Sequence, residues 1–183
     1  MWHLREMKLS RRSVSDSGLV FSPLSRPEQR LDDLWQEASK HIGNARVRDQ
    51  KHLAWRFFNK PGKAYSFWLL HDKGVPMAYA VMATKAGNFR TGYVIDFLFR
   101  TGRGIPESLF NRVMQQMAHD KIDVVKCLAV ANSSVADLLE KLGFQPEPEG
   151  VKMIGWIHPP AIDRSHFFDS SHWHITYADL DGT

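Results

Sequence analysis

Cysteine is nearly missing from this chain. Cys127 stands alone among 183 residues, which excludes an internal disulfide and fits a reducing compartment. It lies in "DVVKCLAV", an apolar run that reads as a buried strand, so a small core residue is expected there rather than a nucleophile. No window approaches the ~20 apolar residues that cross a bilayer, and no membrane association is expected. The opening "MWHLREMKLSRRS" is charged throughout and has no apolar h-region, so it does not read as a secretory signal, and a cytoplasmic protein is expected. A stripe of arginines interleaved with aromatic residues is also lacking, which argues against nucleic acid as a partner. There is no internal repeat.

What is present is the composition of a soluble globular chain, 43% hydrophobic and 24% charged, long enough for one domain with a real core. The formal charge of +4 is mild, and the basic residues are scattered apart from Arg5, Lys8, Arg11 and Arg12 near the start and Arg46 with Arg48. Charge alone does not separate a solvated surface from a preference for anionic ligands.

Residues 1–18 end in the polar "SRRSVSDSG" and read as a tail or linker, leaving residues 19–183 as a single domain. "LVFSPL" reads as a short strand stopped by Pro23 and Pro27. Leu31, Leu34, Trp35 and Ala38 recur at helical spacing, and Gly43 with Asn44 suits the end of that helix. Asp49 is placed to cap a second helix over "DQKHLAWRFFN". "YSFWLLH" and "PMAYAVMAT" are strands joined by the turn "DKG", and "YVIDFLF" is a third. A helix follows with Leu109, Val113 and Met117 in one stripe. "DVVKCLAV" then leads into the helix "SSVADLLEKLGF", capped by Ser133 or Ser134 and ended by Gly143. "VKMIGWI" and "WHITYA" read as the last strands. The order β-α-α-β-β-β-α-β-α-β-β predicts an α/β fold, a mixed sheet covered by helices.

That order, together with "NSSVADLLEKLGF" from Asn132 to Phe144, resembles the GNAT superfamily of acyl-CoA-dependent N-acyltransferases. In that superfamily an asparagine opens the helix and Glu-Lys-Leu-Gly-Phe closes it. The likeness implies a mostly antiparallel central sheet flanked by helices. A second stretch, "RDQKHLAWRFFNKPGKAY", with Arg48, Asp49, Leu53, Trp55, Arg56, Phe57, Pro61 and Tyr65, and the ending "WHITYADLDG", resemble a bacterial subgroup. Its members often carry two such domains, so a partner GNAT-like domain or a homodimer is the implied association. In the family the turn after the "YVIDFLF" strand follows Gln/Arg-x-x-Gly-x-Gly/Ala and holds the CoA pyrophosphate on backbone N–H groups at a helix start. Gly104 matches the first of these glycines, whereas Thr101 and Pro106 depart from the first and sixth positions. Pro106 also suits an ordinary helix start. The resemblance implies acetyl-CoA or another acyl-CoA as co-substrate, bound by Phe97, Leu98, Phe99, Arg103, Gly104, Ile105 and Asn132. It implies the amine of a small molecule or amino sugar as acceptor. The tyrosine that protonates the departing thiolate in the family is matched here by Leu139. The alternative is a catalytically degenerate GNAT-like domain that packs against a partner or binds a ligand without turnover.

Two residues are singled out for catalysis. Asp96 is the sole carboxylate in "YVIDFLF", where an apolar setting beside a cleft is expected to raise its pKa and suit it to act as a base. The bland alternative is a structural aspartate bound to Arg56 or to the backbone. Tyr177 is a candidate proton donor on chain order. His158, His166, His172 and His174 cluster late, near Asp179 and Asp181. "HWH" on a strand sets two imidazoles on one face, but nothing supplies a third ligand, so no metal is expected and loop hydrogen bonding or an acceptor pocket is the better role.

Overall fold

The computed structural model describes residues 2–4, 18–59, 62, 64–147 and 163–180. Its sheet has seven strands: β1 (Trp2–Leu4), β2 (Val20–Pro23), β3 (Ser66–Asp72), β4 (Val75–Lys85), β5 (Thr91–Phe99), β6 (Val124–Cys127) and β7 (Gln145–Pro146), in the spatial order β2-β3-β4-β5-β6-β1-β7. Among the described residues every strand pairing is antiparallel except that of β5 with β6. The β3–β4 hairpin closes on Lys73 and Gly74, both at positive φ, the conformation that a two-residue turn needs to follow the strand twist.

Helices cover both faces. On one lie α3 (Ile105–His119) and α4 (Ser134–Lys141), whose Leu109, Phe110, Val113, Ala136 and Leu139 pack with Leu70, Ala80, Val94 and Phe97. On the other lie α1 (Arg30–Ser39) and α2 (Gln50–Leu53), the latter running into a π-helical turn at Ala54–Phe58. There Leu31, Leu34, Leu53 and Phe57 pack with Leu69, Tyr79, Val81 and Leu98. Asp49 caps α2 by accepting from His52 N at 2.7 Å, Ser133 caps α4 by accepting from Ala136 N at 3.2 Å, and Gly143 at φ +92° ends α4, all as the sequence predicts. None of the described helices is long and apolar enough to cross a membrane.

Some expectations change. Trp2–Leu4, inside the segment read as a tail, forms a strand between β6 and β7. "WHITYA" does not join the sheet. Trp173 makes a single parallel bridge to Asn44, and Tyr177–Asp179 close a 3-10 turn on the α1 face. Period-two alternation holds for any extended segment with one face buried, whether it pairs or only lies across a sheet. The α1 helix ends at Ser39, before Gly43. Gly43 matters for close approach instead: a Cβ there would stand 2.9 Å from both the Cβ and the carbonyl oxygen of His172. "VKMIGWI" lies outside the described residues.

The ladder between β4 and β5 is interrupted once. Val81 faces Asp96 and Met82 faces Val94, so Ile95 is an extra residue, a β-bulge. Val94 and Phe97 remain on the α3 face, while Ile95 joins the α1 cluster and the Asp96 carboxylate reaches Tyr79, whose side chain lies in that cluster. In a regular ladder that kept Ile95 in register, Asp96 would share the face of Val94.

Candidate functional site

Just past the bulge, β5 loses a neighbour. It pairs with β6 only from Thr91–Val124 to Val94–Cys127, then runs on to Phe99 while the chain after Cys127 leaves the ladder. The two strands part at this level, since no pairing follows Val94–Cys127. An edge of backbone donors and acceptors is thereby released within the centre of the sheet, and such groups need partners. One partner is visible. The half-buried His174 donates from Nε2 to the Phe97 carbonyl at 2.9 Å, and its ring meets the Phe97 ring edge-on, with centroids 5.1 Å apart and planes at 89°. A carbonyl can only accept, so this bond fixes the proton on Nε2. Burial, reinforced by the nearby Arg48 charge, pushes the His174 pKa down to about 4, and the ring is neutral at physiological pH.

His174 is held there by a buried ion network. Asp96, 1% exposed, accepts from Arg48 Nε at 3.0 Å, from Thr176 Oγ1 at 2.7 Å and from Tyr79 Oη at 2.7 Å. Arg48, also 1% exposed, donates further to Asp179 Oδ2 at 2.6 Å and to the Arg46 carbonyl at 2.9 Å. Thr176 N donates to the same Asp179 oxygen at 2.9 Å. Arg56 donates to the carbonyls of Ala178 at 3.1 Å and Leu180 at 3.3 Å. The arginines of the "RD…WRF" stretch are therefore the receptor for "ITYADL". The two runs that stood apart in the sequence are two halves of one clasp.

This clasp corrects the reading of Asp96. Its partner is Arg48, not Arg56. Burial alone would raise its pKa, but the Arg48 guanidinium and the Tyr79 and Thr176 hydroxyls hold it below the ordinary carboxylate value. A carboxylate kept ionised by three donors is poorly suited to collect a proton.

The glycine turn behaves as a helix start. Gly104 is the N-cap of α3 with φ +80°, which only glycine adopts freely, and Pro106 stands in the first turn. Ile105, buried, turns its N–H back to the Gly102 carbonyl at 3.3 Å, and the Ser108 N–H bonds the Gly104 carbonyl at 2.9 Å. With proline lacking a donor, the Ile105 amide predicted for phosphate is already engaged and the cradle is thinner than the family pattern implies. Arg103 is exposed beside it, whereas Arg100 donates to the Pro76 carbonyl at 2.8 Å.

The other predicted residues are dispersed. Phe97 and Leu98 are buried and Phe99 is half-buried. Asn132 is exposed at φ +61°, a left-handed position that asparagine tolerates, and Ser133 rather than Asn132 caps α4. Tyr177 packs edge-on against Tyr93, centroids 5.7 Å apart, beside the paired half of β5, and burial pushes its phenol pKa up. Leu139 is wholly buried in the α3-side core, as is Cys127, whose thiol pKa burial also raises. His172 and His174 do not share a face: His172 stacks on His166 at 4.0 Å while His174 turns inward to Phe97. No group of three potential metal ligands occurs among the described residues.

No family model matches the sequence, and no curated protein does. Solved structures do match. A GCN5-related N-acetyltransferase from Anabaena variabilis superposes with a TM-score of 0.60 at 13% identity, over 79% of this chain and 36% of that one. A predicted acetyltransferase from Clostridium acetobutylicum, solved with acetyl-CoA, gives 0.55 at 18% identity over 74% and 96%. The chain has the GNAT fold. An aminoglycoside acetyltransferase from an uncultured soil metagenomic sample gives 0.53 at 14% identity over 78% and 99%. Phe97 to Phe99, which the sequence likeness implies for the acyl donor, lie on the part of β5 that β6 does not pair. Tyr79 and Thr176 were missed as members of that region, and His174 and Asp179 were noted only within the late histidine cluster. Only the "HWH" and "ITYAD" runs hinted at them, because their contacts span up to 131 residues.

Arg48→Met leaves Asp96 buried without its cation. Chemical denaturation is expected to show a loss of about 3–5 kcal/mol, and a loss below about 1 kcal/mol contradicts the clasp. For His174 the folded pKa lies below the unfolded one, so from pH 6.5 down to about 4 the unfolded chain carries a proton that the folded chain lacks. Stability therefore falls as pH drops through that window, and the half-buried His52, lowered in the same sense, adds to the slope. Urea midpoints followed against pH should show His174→Gln removing up to one proton from that slope; an unchanged slope contradicts the assignment.

Proposed function

We propose that this chain is an acyl-CoA-dependent N-acyltransferase that acetylates the amine of a small molecule or amino sugar. The observation that carries this reading is the β5 edge from Asp96 to Phe99, which is freed from β6 just past the Ile95 bulge and opens beside the glycine turn at α3. An edge of alternating amide donors and acceptors fits an extended arm that itself carries amides, and acyl-CoA has such an arm. A backbone N–H on this edge would polarise the thioester carbonyl. The acceptor amine attacks that carbon to form the C–N bond and gives up one N–H proton to water, the C–S bond breaks, and the thiolate leaves with a proton supplied by the site or by water. The diphosphate would lie at Gly104 beside Arg103, on fewer amides than the family pattern offers. The presence of acetyl-CoA in the Clostridium acetobutylicum structure and of an aminoglycoside acetyltransferase among the similar folds supports the donor and the acceptor class.

Asp96 is assigned a positioning role through Arg48 and Thr176 rather than the role of base. Tyr177 stays a candidate proton donor, its raised pKa keeping the phenol protonated. A second reading is a GNAT-like domain without turnover. Pro106, the engaged Ile105 amide and Leu139 in the core favour it.

Isothermal titration with acetyl-CoA separates the two. The enzyme reading predicts one bound molecule per chain, a weakening of about tenfold (~1.4 kcal/mol) in Arg103→Glu, and CoA release in the presence of an amino-sugar panel. No detectable binding by the folded wild-type protein gives the second reading.

A further inference from the structure

The Phe97 carbonyl is central to the proposed donor site, yet the protein already bonds it. We infer that His174 is a built-in competitor that occupies the acyl donor's place on the β5 edge and sets the affinity of the site. This inference rests on the donor site proposed above.

The imidazole N–H and an amide N–H are equivalent donors to a backbone carbonyl, so His174 completes an edge that would otherwise be unsatisfied. Both cannot hold Phe97 in the same direction at once, and an extended arm running along β5 must first displace the ring. The ring is not loosely placed. Its own backbone N–H donates to the Asn44 carbonyl at 2.9 Å, and the Asn44 N–H donates to the carbonyl of His172 at 2.7 Å. Trp173 Nε1 donates to the Phe167 carbonyl at 2.7 Å on one side, and Thr176 is fixed to Asp96 on the other. Rotation of the side chain about its own bonds can clear the carbonyl without breaking these anchors. The competitor is therefore a side-chain gate on a fixed backbone, and its neutral ring offers no charge to attract a phosphate.

The test compares the wild type, His174→Ala and His174→Gln in titrations with acetyl-CoA, with folding checked by thermal denaturation. Glutamine keeps an N–H donor near the position of Nε2, whereas alanine frees the carbonyl. The inference predicts that alanine binds acetyl-CoA about three- to tenfold more tightly than the wild type and that glutamine stays within about threefold of it, as one hydrogen bond allows. Equal or weaker binding by alanine overturns the gate and leaves the donor site standing. Absence of binding in all three overturns both. A readout independent of any variant is the His174 ring itself. In nitrogen–proton spectra of the wild-type protein the Nε2–H signal should shift or broaden on saturation with acetyl-CoA, and an unchanged signal at saturation overturns the inference even if alanine does not fold.

Discussion

The buried pair of Arg48 and Asp96 is the constraint on which the arrangement of this protein turns. Neither group can sit 1% exposed without the other, because an isolated charge in such a place is very costly. The pair is satisfied only when the segment from Thr176 to Asp179 comes over β5 to supply a hydroxyl and a second carboxylate, with Arg46 at 3.9 Å from that carboxylate. The C-terminal segment is thus recruited by charge compensation as well as by the burial of Tyr177 and Ala178. Its docking brings His174 to the one stretch of β5 that β6 has left.

The bulge at Ile95 and the clasp depend on each other. The bulge presents Asp96 to the α1 face, where Tyr79 and Arg48 stand, while Phe97 stays on the α3 face against Phe110, ring centroids 5.2 Å apart. A regular strand would turn the carboxylate toward the apolar α3-side core instead. The same irregularity sits where β5 and β6 part, so a device that settles a structural charge also marks the opening of the cleft. Architecture and chemistry are hard to separate at this site because they share residues.

The parts legible in the sequence are those that local physics decides. Helix stripes, the Asp49 and Ser133 caps, the Lys73-Gly74 turn and the glycine ending α4 each follow from residues a few positions apart. The likeness around Asn132 to Phe144 correctly indicated the GNAT fold. What stayed hidden is non-local. Nothing in "YVIDFLF" announces a bulge, since its residues are good strand formers on either face. The choice of Arg48 over Arg56 as the partner of Asp96 depends on Arg48 standing just ahead of α2 while the π-helical turn directs Arg56 to the Ala178 carbonyl. "WHITYA" has the alternation of a strand but crosses the sheet instead of extending it, because its polar groups answer Arg48, Asp96 and Asn44 rather than a neighbouring ladder.

The central claim is that the C-terminal segment is an integral layer of the core, fastened through Arg48. Hydrogen exchange of the full chain, followed by mass spectrometry, addresses it most directly. Amides of Thr176 to Leu180 should exchange as slowly as those of β5, opening only with global unfolding. Rapid exchange of that segment while β5 stays protected would contradict the account, and would leave Asp96 and the open strand edge without the partners assigned to them here.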